Sequence, residues 1–409
     1  MKEYLIGEKL SHSYSVPIHK AFGAENYSLK EIGREELAAF FAKKDFGGLN
    51  VTIPYKREAF AFLDEVSPLA ERIGAVNTVV NRGGVLYGDN TDYFGFSALA
   101  ARAGVDFRGA NVLIFGTGGT SETAETVCRD GGAARVEKVS RSGALNYQTM
   151  YERRDTHVVV NTTPAGMFPN DGAAIADLSR FPALRGALDA VYHPLRTNLV
   201  LQAEALGVPC AGGLYMLVAQ AARARELFDG RKIAESEIEG VYRKIGRAYE
   251  NAVLVGMPGS GKSAVGRALA ARLKREFYDS DAEIERRAGP IEEIFARGGE
   301  ETFRRIEKEV IEELSKKSGV VLATGGGAVK DKANVAALRR NGKILYIDRP
   351  VEKLALKGRP LSKDRETVKR LYEERRALYE DAADVRVKNV GALAEAEEAA
   401  FRAFTEEEE

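Results

Sequence analysis

Short apolar runs alternate along this chain with longer helix-like stretches, and most of the runs end in a glycine-rich or polar loop. Tyr4 to Gly7, Gly48 to Pro54, Ala110 to Phe115, Arg135 to Val139, Val158 to Asn161, Ala252 to Val255 and Val320 to Ala323 read as strands, and Ile73 to Val79 as a strand entry. Helical patterns start at Ile18, at Phe94, beyond Ser121 through Ala124 and Val127, after Gly212-Gly213, over Ala264 to Ala271 and from Gly298. Strand, loop and helix in this alternation predict an α/β fold with ligand sites at the carboxyl ends of strands. Residues Glu235 to Glu250 are charged and helical, without Pro or Gly-Ser richness, and predict a semi-rigid helical join.

The strongest local signal lies near the middle, at Gly256-Met-Pro-Gly259-Ser260-Gly261-Lys262-Ser263. It stands between an apolar run and a helix, which is the setting a phosphate-binding loop requires. The glycines leave backbone N–H groups free for phosphate oxygens, and the helix N-terminus adds partial positive charge. Lys262 can reach the β- and γ-phosphates and Ser263 can ligate Mg²⁺, so a nucleotide is the expected ligand. Downstream, Glu276 to Asp281 reads as a strand whose two carboxylates, Asp279 and Asp281, sit at i and i+2 and so share a face. Phosphoryl transfer needs one acid for the metal and another to accept the attacking hydroxyl's proton.

Composition narrows the class. The chain has 409 residues, which suggests two or three domains, and 44 % apolar with 29 % charged residues is ordinary for a soluble globular protein. Lys+Arg and Asp+Glu both number 60, so charge gives no reason to expect nucleic acid or a membrane surface as partner. Cys128 and Cys210 lack metal-ligand spacing and read as buried thiols in a reducing compartment. The N-terminus has no secretory pattern and no apolar run is long enough to span a membrane, so a cytoplasmic location is expected. Glu406 to Glu409 reads as a solvated tail. A monomer and a homodimer both fit.

The first half carries further chemistry. Ser13-Tyr-Ser15-Val-Pro17 leads into a helix, Asn50-Val-Thr52-Ile-Pro-Tyr-Lys56 ends a strand, and Gly74-Ala-Val-Asn77-Thr78 and Asn90-Thr-Asp92 mark two further junctions. Lys56, Asn77 and Asp92 can therefore converge on one small polar substrate. Gly116-Thr-Gly118-Gly119-Thr120-Ser121 is a dinucleotide-binding turn with Ser where a third glycine would fall. The next strand ends in Ser140-Arg141 rather than an acid, which favours a 2′-phosphate and hence NADP over NAD. These ordered motifs resemble shikimate dehydrogenase, and the likeness continues to about residue 235. It implies that Ser13, Ser15, Thr52, Asn77, Asp92, Tyr192 and Gln220 hold substrate, and that Lys56 and Asp92 form the catalytic pair. It also implies that Gly116, Gly118, Gly119, Thr120, Ser140, Arg141 and Gly213 hold NADPH or NADP+. Where that family carries a second basic residue, this chain has Gly143-Ala-Leu145, and a weaker NADP preference is expected. His193 is taken as a turn residue.

The second half adds Phe303-Arg304-Arg305, Gly325-Gly326-Gly327, Gly358-Arg359-Pro360-Leu361 and Glu374-Arg375-Arg376-Ala377-Leu378-Tyr379. With the phosphate loop and Asp279-x-Asp281, this order resembles shikimate kinase over about residues 251 to 392. The resemblance implies that Arg304 and Arg375 clamp the substrate carboxylate and that Asp281 binds hydroxyls as the candidate base. It further implies that Gly325 to Gly327 line the substrate, that Lys262 and Arg359 stabilise the transferring phosphoryl, and that Ser263 and Asp279 serve Mg²⁺. Gly256, Gly259, Ser260, Gly261, Lys262, Ser263 and Arg359 are the expected ATP contacts. Only Ala-Leu-Lys-Gly separates Leu354 from Arg359, so the lid is expected to be short. Arg305 and Arg376 are expected outside the site.

The expected fold class is α/β: a two-lobed shikimate dehydrogenase-like unit with a Rossmann NADP domain, followed by a P-loop NTPase-type parallel-sheet kinase domain. The expected boundaries are 1–95 with 213–240 for the substrate domain, 96–212 for the NADP domain, 241–250 for a helical linker and 251–409 for the kinase. The expected activity is bifunctional: reduction of 3-dehydroshikimate, then phosphorylation of shikimate. The rivals are a quinate or NAD preference in the first half, or one half turned into a ligand sensor or scaffold.

Overall fold

The computed structural model describes residues 2–10, 13–169, 174–354 and 365–406. The chain divides into two compact units, Met1–Gly246 and Arg247–Glu409. The first unit contains two sheets and the second one sheet.

The first sheet opens with β1 (Glu3–Gly7), α1 (Ser15–Ala21), β2 (Tyr27–Glu31), α2 (Leu37–Lys43) and β3 (Gly48–Val51). It continues with β4 (Glu65–Val66), α3 (Pro68–Ile73), β5 (Thr78–Arg82), β6 (Val85–Asp89) and α4 (Thr91–Ala103). The strand order is β2-β1-β3-β5-β6-β4. β1 runs parallel to β2 and β3, while β3 with β5 and β5 with β6 are antiparallel. Pro54 has no N–H to donate to a ladder, so the chain leaves the sheet just after β3. A core of Leu49, Val51, Tyr55, Val76, Val79 and Leu86 fixes this sheet against Phe41 and Phe46. The helix starting near residue 94 begins earlier than its apolar pattern suggests. Asn90 accepts from Tyr93 N at 3.2 Å, which caps α4 and places Asp92 in its first turn.

The second sheet comprises β7 (Asn111–Phe115), α5 (Gly119–Asp130), β8 (Arg135–Val139), β9 (Val158–Asn161), β10 (Gly186–Asp189), α6 (Asn198–Ala205) and β11 (Cys210–Ala211). Its order, β11-β10-β9-β7-β8, is parallel throughout. The order reverses at β7, and the crevice outside the strand ends at that reversal is where such sheets bind ligands. Buried runs such as Val158-Val-Val-Asn161 suit a sheet covered on both faces. After β11, α7 (Leu214–Asp229) returns to the first sheet and packs on α4. A Cβ on Gly95 would stand 2.6 Å from Met216 O, so only glycine permits this approach. Then α8 (Glu235–Tyr249) follows, with Arg102 between the rings of Tyr215 and Tyr242 and bonded to Glu239. Both cysteines are free thiols; Cys128 is buried as expected, whereas Cys210, on the short edge strand β11, is only half-buried.

The second unit holds β12 (Asn251–Val255), α9 (Lys262–Leu273), β13 (Phe277–Asp279), α10 (Ser280–Ala288), α11 (Ile291–Ser315) and β14 (Val321–Ala323). It ends with α12 (Lys332–Asn341), β15 (Gly342–Asp348), α13 (Arg365–Ala382), β16 (Val385–Lys388) and α14 (Leu393–Thr405). The sheet is parallel, in the order β13-β14-β12-β15-β16. The helix expected from Gly298 begins at Ile291 and breaks at Gly299, whose φ of 69° interrupts it.

Two candidate active sites

In the first unit, the loop after β3 is fastened before it presents Lys56. Tyr55 is fully buried and donates its hydroxyl to Ile32 O at 2.6 Å, while Val76 N donates to Lys56 O at 2.8 Å. Lys56 Nζ then meets Asp92 Oδ2 at 2.6 Å, with side chains 14 % and 8 % exposed. Asn90 steadies Asp92 from behind, since it caps α4 and donates to Ala75 O at 2.8 Å. Asn77 Oδ1 accepts from Thr91 N at 2.7 Å, and its Nδ2 donates to Thr91 Oγ1 at 3.0 Å and to Gln220 Oε1 at 3.4 Å. The strand ends, α4 and α7 thus bring Lys56, Asn77, Asp92 and Gln220 together. Ser13 Oγ donates to Ser15 Oγ at 3.0 Å. The intervening Tyr14 hydrogen-bonds His193 Nδ1 at 2.7 Å and lies 5.1 Å from the Tyr192 ring. His193 therefore links the serine segment to the loop after β10, a role beyond that of a plain turn residue. Thr52 sits at the end of β3, with its backbone N on Ile6 O.

Lys56 also lines a cavity of about 890 Å³ at the switch point of the second sheet. Gly116, Gly118, Gly119 and Thr120 border it after β7, and Ser140 and Arg141 after β8. Gly213 lies apart from this lining; its N donates to Val191 O at 2.8 Å as it leads into α7. Ser121, at the position of the absent glycine, is buried and donates its hydroxyl to Gly116 O at 2.9 Å, so it braces the turn. Asp189 accepts from Thr197 Oγ1 at 2.6 Å, Asn161 Nδ2 at 2.9 Å and Val191 N at 2.9 Å, which ties two strand-end loops together. Burial pushes its carboxyl up to about 7 despite those donors. A glycine turn, a helix N-terminus and a basic residue after the second strand fit a dinucleotide with an extra phosphate.

In the second unit, Gly261 leads into α9, whose first residues are Lys262 and Ser263. Lys262 is buried, and its Nζ donates to Gly256 O at 2.8 Å and Met257 O at 3.0 Å. Ser263 Oγ donates to Asp279 Oδ2 at 2.6 Å. The shared strand face expected for Asp279 and Asp281 is not how they meet. Asp279 ends β13 and caps α10 by accepting from Asp281 N at 3.0 Å, and Asp281 lies within the helix. A carboxylate there satisfies free helix N–H groups, which outweighs one more residue of strand. Both acids still line one cavity of about 620 Å³, with Lys262, Ser263, Arg304 and Arg375. Gly259 and Gly261 border it too, whereas Gly256 and Ser260 stand outside its lining. Burial, with Asp279 adding to it, pushes Asp281 up to about 6.

Gly325 to Gly327 also line this cavity. A Cβ on Gly325 would lie 2.6 Å from Asp281 Oδ1 and 2.8 Å from Glu307 Oε1, so a side chain there would fill the space before the carboxylates. Arg304 Nη1 donates to Glu307 Oε2 at 2.6 Å, and Arg375 Nη1 to Gly326 O at 3.1 Å. Glu307, 1 % exposed, belongs to the site although no motif singles it out; its i+3 spacing from Arg304 on one helix is the signal the sequence offers. Burial raises its carboxyl above the usual range. Arg57 likewise lines the dinucleotide cavity although no motif marks it, and Thr91, inside Asn90-Thr-Asp92, joins Asn77 to Gln220. Arg305 and Arg376 pair with Glu309 and Glu380 on the surface. Arg359 and the rest of the expected lid lie outside the described residues. Among those described, no three or more His, Cys, Asp or Glu cluster as a metal site. The hard oxygens of Ser263 and Asp279 suit Mg²⁺, which takes few protein ligands alongside phosphates.

Fold and sites together define a nicotinamide-dinucleotide oxidoreductase unit followed by a phosphate-loop kinase unit. Residues 5–79 match the family model for the shikimate dehydrogenase substrate binding domain, and residues 258–406 that for shikimate kinase. An NADP(+) shikimate dehydrogenase of Clostridium perfringens (strain SM101 / Type A) is 34 % identical over 262 residues, 59 % of this chain and 97 % of that protein. Shikimate dehydrogenase 1 of Peptoclostridium difficile superposes with a TM-score of 0.56 at 34 % identity, covering 60 % of this chain and 98 % of that one. The Thermus thermophilus shikimate 5-dehydrogenase, solved with NADP(H) and shikimate, gives 0.54 at 31 % identity, covering 60 % and 100 %. The chain belongs to the shikimate dehydrogenase family and carries a shikimate kinase domain after it. Among the described residues no helix is long and apolar enough to cross a membrane.

Proposed function

We infer that this chain is a bifunctional shikimate-pathway enzyme. Its first unit reduces 3-dehydroshikimate to shikimate with NADPH, and its second phosphorylates shikimate with MgATP to shikimate 3-phosphate. The observation that carries this reading is the coexistence, in one chain, of the Lys56–Asp92 pair at a dinucleotide cavity and of Lys262 with Asp281 at a phosphate loop. A unit turned sensor or scaffold would have no use for either pair.

NADPH, when bound, supplies the hydride. Lys56 gives the developing alkoxide its proton, and Asp92 orients the ammonium. Asn77 and Gln220, already joined through Thr91, hold substrate hydroxyls with Ser13, Ser15, Thr52 and Tyr192. Arg141 and Ser140 receive the 2′-phosphate, and Gly116, Gly118, Gly119 and Thr120 the pyrophosphate, with Gly213 toward the nicotinamide. In the kinase unit, Asp281 accepts the attacking hydroxyl's proton. Lys262 exchanges its two carbonyl partners for phosphate oxygens, and Arg359 adds charge. The forks of Arg304 and Arg375 hold the substrate carboxylate, which a planar guanidinium suits better than an ammonium. Residues 1–95 with 213–240, 96–212 and 251–409 form the substrate, NADP and kinase domains, joined through 241–250, and the enzyme works in the cytoplasm.

The test is a two-stage assay on the purified chain. With 3-dehydroshikimate and NADPH, absorbance at the nicotinamide band should fall; MgATP should then yield shikimate 3-phosphate. Turnover with quinate or NADH in place of these would move the reading to the rival specificity, and a silent stage would mark that unit as non-catalytic.

A further inference from the structure

Arg57 stands next to the catalytic lysine and takes a different partner. Its Nη2 donates to Glu122 Oε1 at 2.8 Å and reaches Thr117 O, in the glycine turn, at 3.4 Å. The side chain is 55 % exposed and lines the dinucleotide cavity together with Thr117, Gly118 and Arg141. Glu122 lies in the first turn of α5, the helix whose N-terminus faces that cavity. A carboxylate one turn from a phosphate site repels the ligand unless it is neutralised. Here it is neutralised twice: Lys138, from β8, takes Glu122 Oε2 at 2.6 Å and Glu125 at 2.7 Å. Lys138 can therefore keep Glu122 compensated if Arg57 leaves it.

We propose that Arg57 is a phosphate-binding residue for the dinucleotide, contributed by the substrate-binding loop and held by Glu122 until the cofactor enters. This rests on the NADPH reading above. A guanidinium fork on a phosphate makes stronger hydrogen bonds than it does with a single carboxylate oxygen, so exchange favours the ligand. It also places a basic residue in the cavity of a chain that lacks a second one after Arg141. The phosphate is either the 2′-phosphate or the pyrophosphate, and the two are separable.

The experiment titrates NADPH and NADH into the full chain by nicotinamide fluorescence, for wild type, Arg57→Ala, Arg57→Lys and Glu122→Gln. Arg57→Ala should weaken NADPH about tenfold, the size of one charged hydrogen bond, and Arg57→Lys should recover part of it. Glu122→Gln should act oppositely and tighten NADPH, since it frees Arg57 and removes a negative charge. Loss confined to NADPH assigns Arg57 to the 2′-phosphate; equal loss for NADH assigns it to the pyrophosphate. Unchanged NADPH affinity in Arg57→Ala, with wild type binding normally, overturns the proposal. So does a weakening by Glu122→Gln equal to that of Arg57→Ala, which would mark the pair as a structural tie. A wild-type chain that bound neither dinucleotide would instead overturn the reductase reading itself, and Arg57's role with it.

Discussion

Each unit is built around one lysine, and the two lysines are held in opposite ways. Lys262 sits in a loop that closes on itself: its ammonium bonds Gly256 O and Met257 O, only a few residues back along the chain. Lys56 is held by a carboxylate 36 residues away, on a helix beyond three further strands. The first arrangement needs little more than a strand, a turn and a helix start. The second requires the whole first sheet in register, Asn90 capping α4, and α7 folded back on α4. A phosphate loop is therefore portable, while a proton-donating lysine paired with a remote acid is a property of an entire lobe.

The most forceful way to break this comparison is to remove each lysine in turn. Lys56→Ala should lower reduction by at least about 10³-fold, since it takes away both the proton donor and the charge at the alkoxide, and phosphorylation should persist. Lys262→Ala should do the reverse. Parallel reductase and kinase assays on each variant are the check; loss of both activities from one substitution in a folded chain would refute separable sites. Asp92→Asn sharpens the contrast, because it keeps the lysine and deletes only its remote partner.

The same distinction explains how much of each site is legible in the amino-acid sequence. The phosphate loop is legible because its chemistry is contiguous from Gly256 to Ser263. The Lys56 site is legible only through several motifs in order, since nothing local joins residues 56, 77, 92 and 220. Asp279 and Asp281 are grouped correctly by their spacing but placed wrongly by it. Strand periodicity says nothing of a carboxylate that turns to cap the next helix. Arg57 is hidden because its partner, Glu122, belongs to another sheet's helix, and an ordinary surface arginine has the same local sequence. The dehydrogenase fold is legible as α/β, but not the antiparallel pairing of β3, β5 and β6, which depends on which strands meet rather than on any one strand's pattern.

A second contrast concerns acid–base poise. Asp281 is pushed up to about 6, first by burial and then by Asp279. As a base it must be ionised, so kinase kcat should hold above pH 6 and drop about tenfold per pH unit below it. Asp281→Asn should cost on the order of 10²–10⁴ in rate and erase that limb. Saturating-substrate rates from pH 5 to 8 would test this, and a limb that survives Asp281→Asn would assign the base elsewhere. The reduction step makes no use of Asp281, so Asp281→Asn should leave its pH profile unchanged.

The smallest expected effect lies away from both sites and separates the units by stability. All four histidines, at 12, 19, 157 and 193, fall in the first unit. His19 is fully buried, stacked on Tyr27 at 3.7 Å, and neither ring nitrogen has a hydrogen-bond partner among the described residues. Burial, aided by the positive charge of nearby Arg225, which Glu3 and Asp229 partly offset, holds its pKa well below the ordinary value. The folded state keeps the ring neutral, while the unfolded chain takes up a proton below about pH 6.5. The unfolded state then binds more protons, so His19 destabilises the first unit by up to about 1.4 kcal/mol for each pH unit below that value, until the folded pKa is reached. His19→Phe keeps the stack, removes that slope, and should add about 1 kcal/mol at neutral pH by deleting two unpartnered nitrogens. Urea midpoints followed separately through reductase and kinase activity, at pH 7.5 and 5.5, would show it: the acid-induced drop in the reductase midpoint should shrink in the variant, while the kinase midpoint, from a unit without histidine, should be unaffected by the substitution. An unchanged reductase drop would mean that carboxylates, rather than His19, govern the acid sensitivity of that unit.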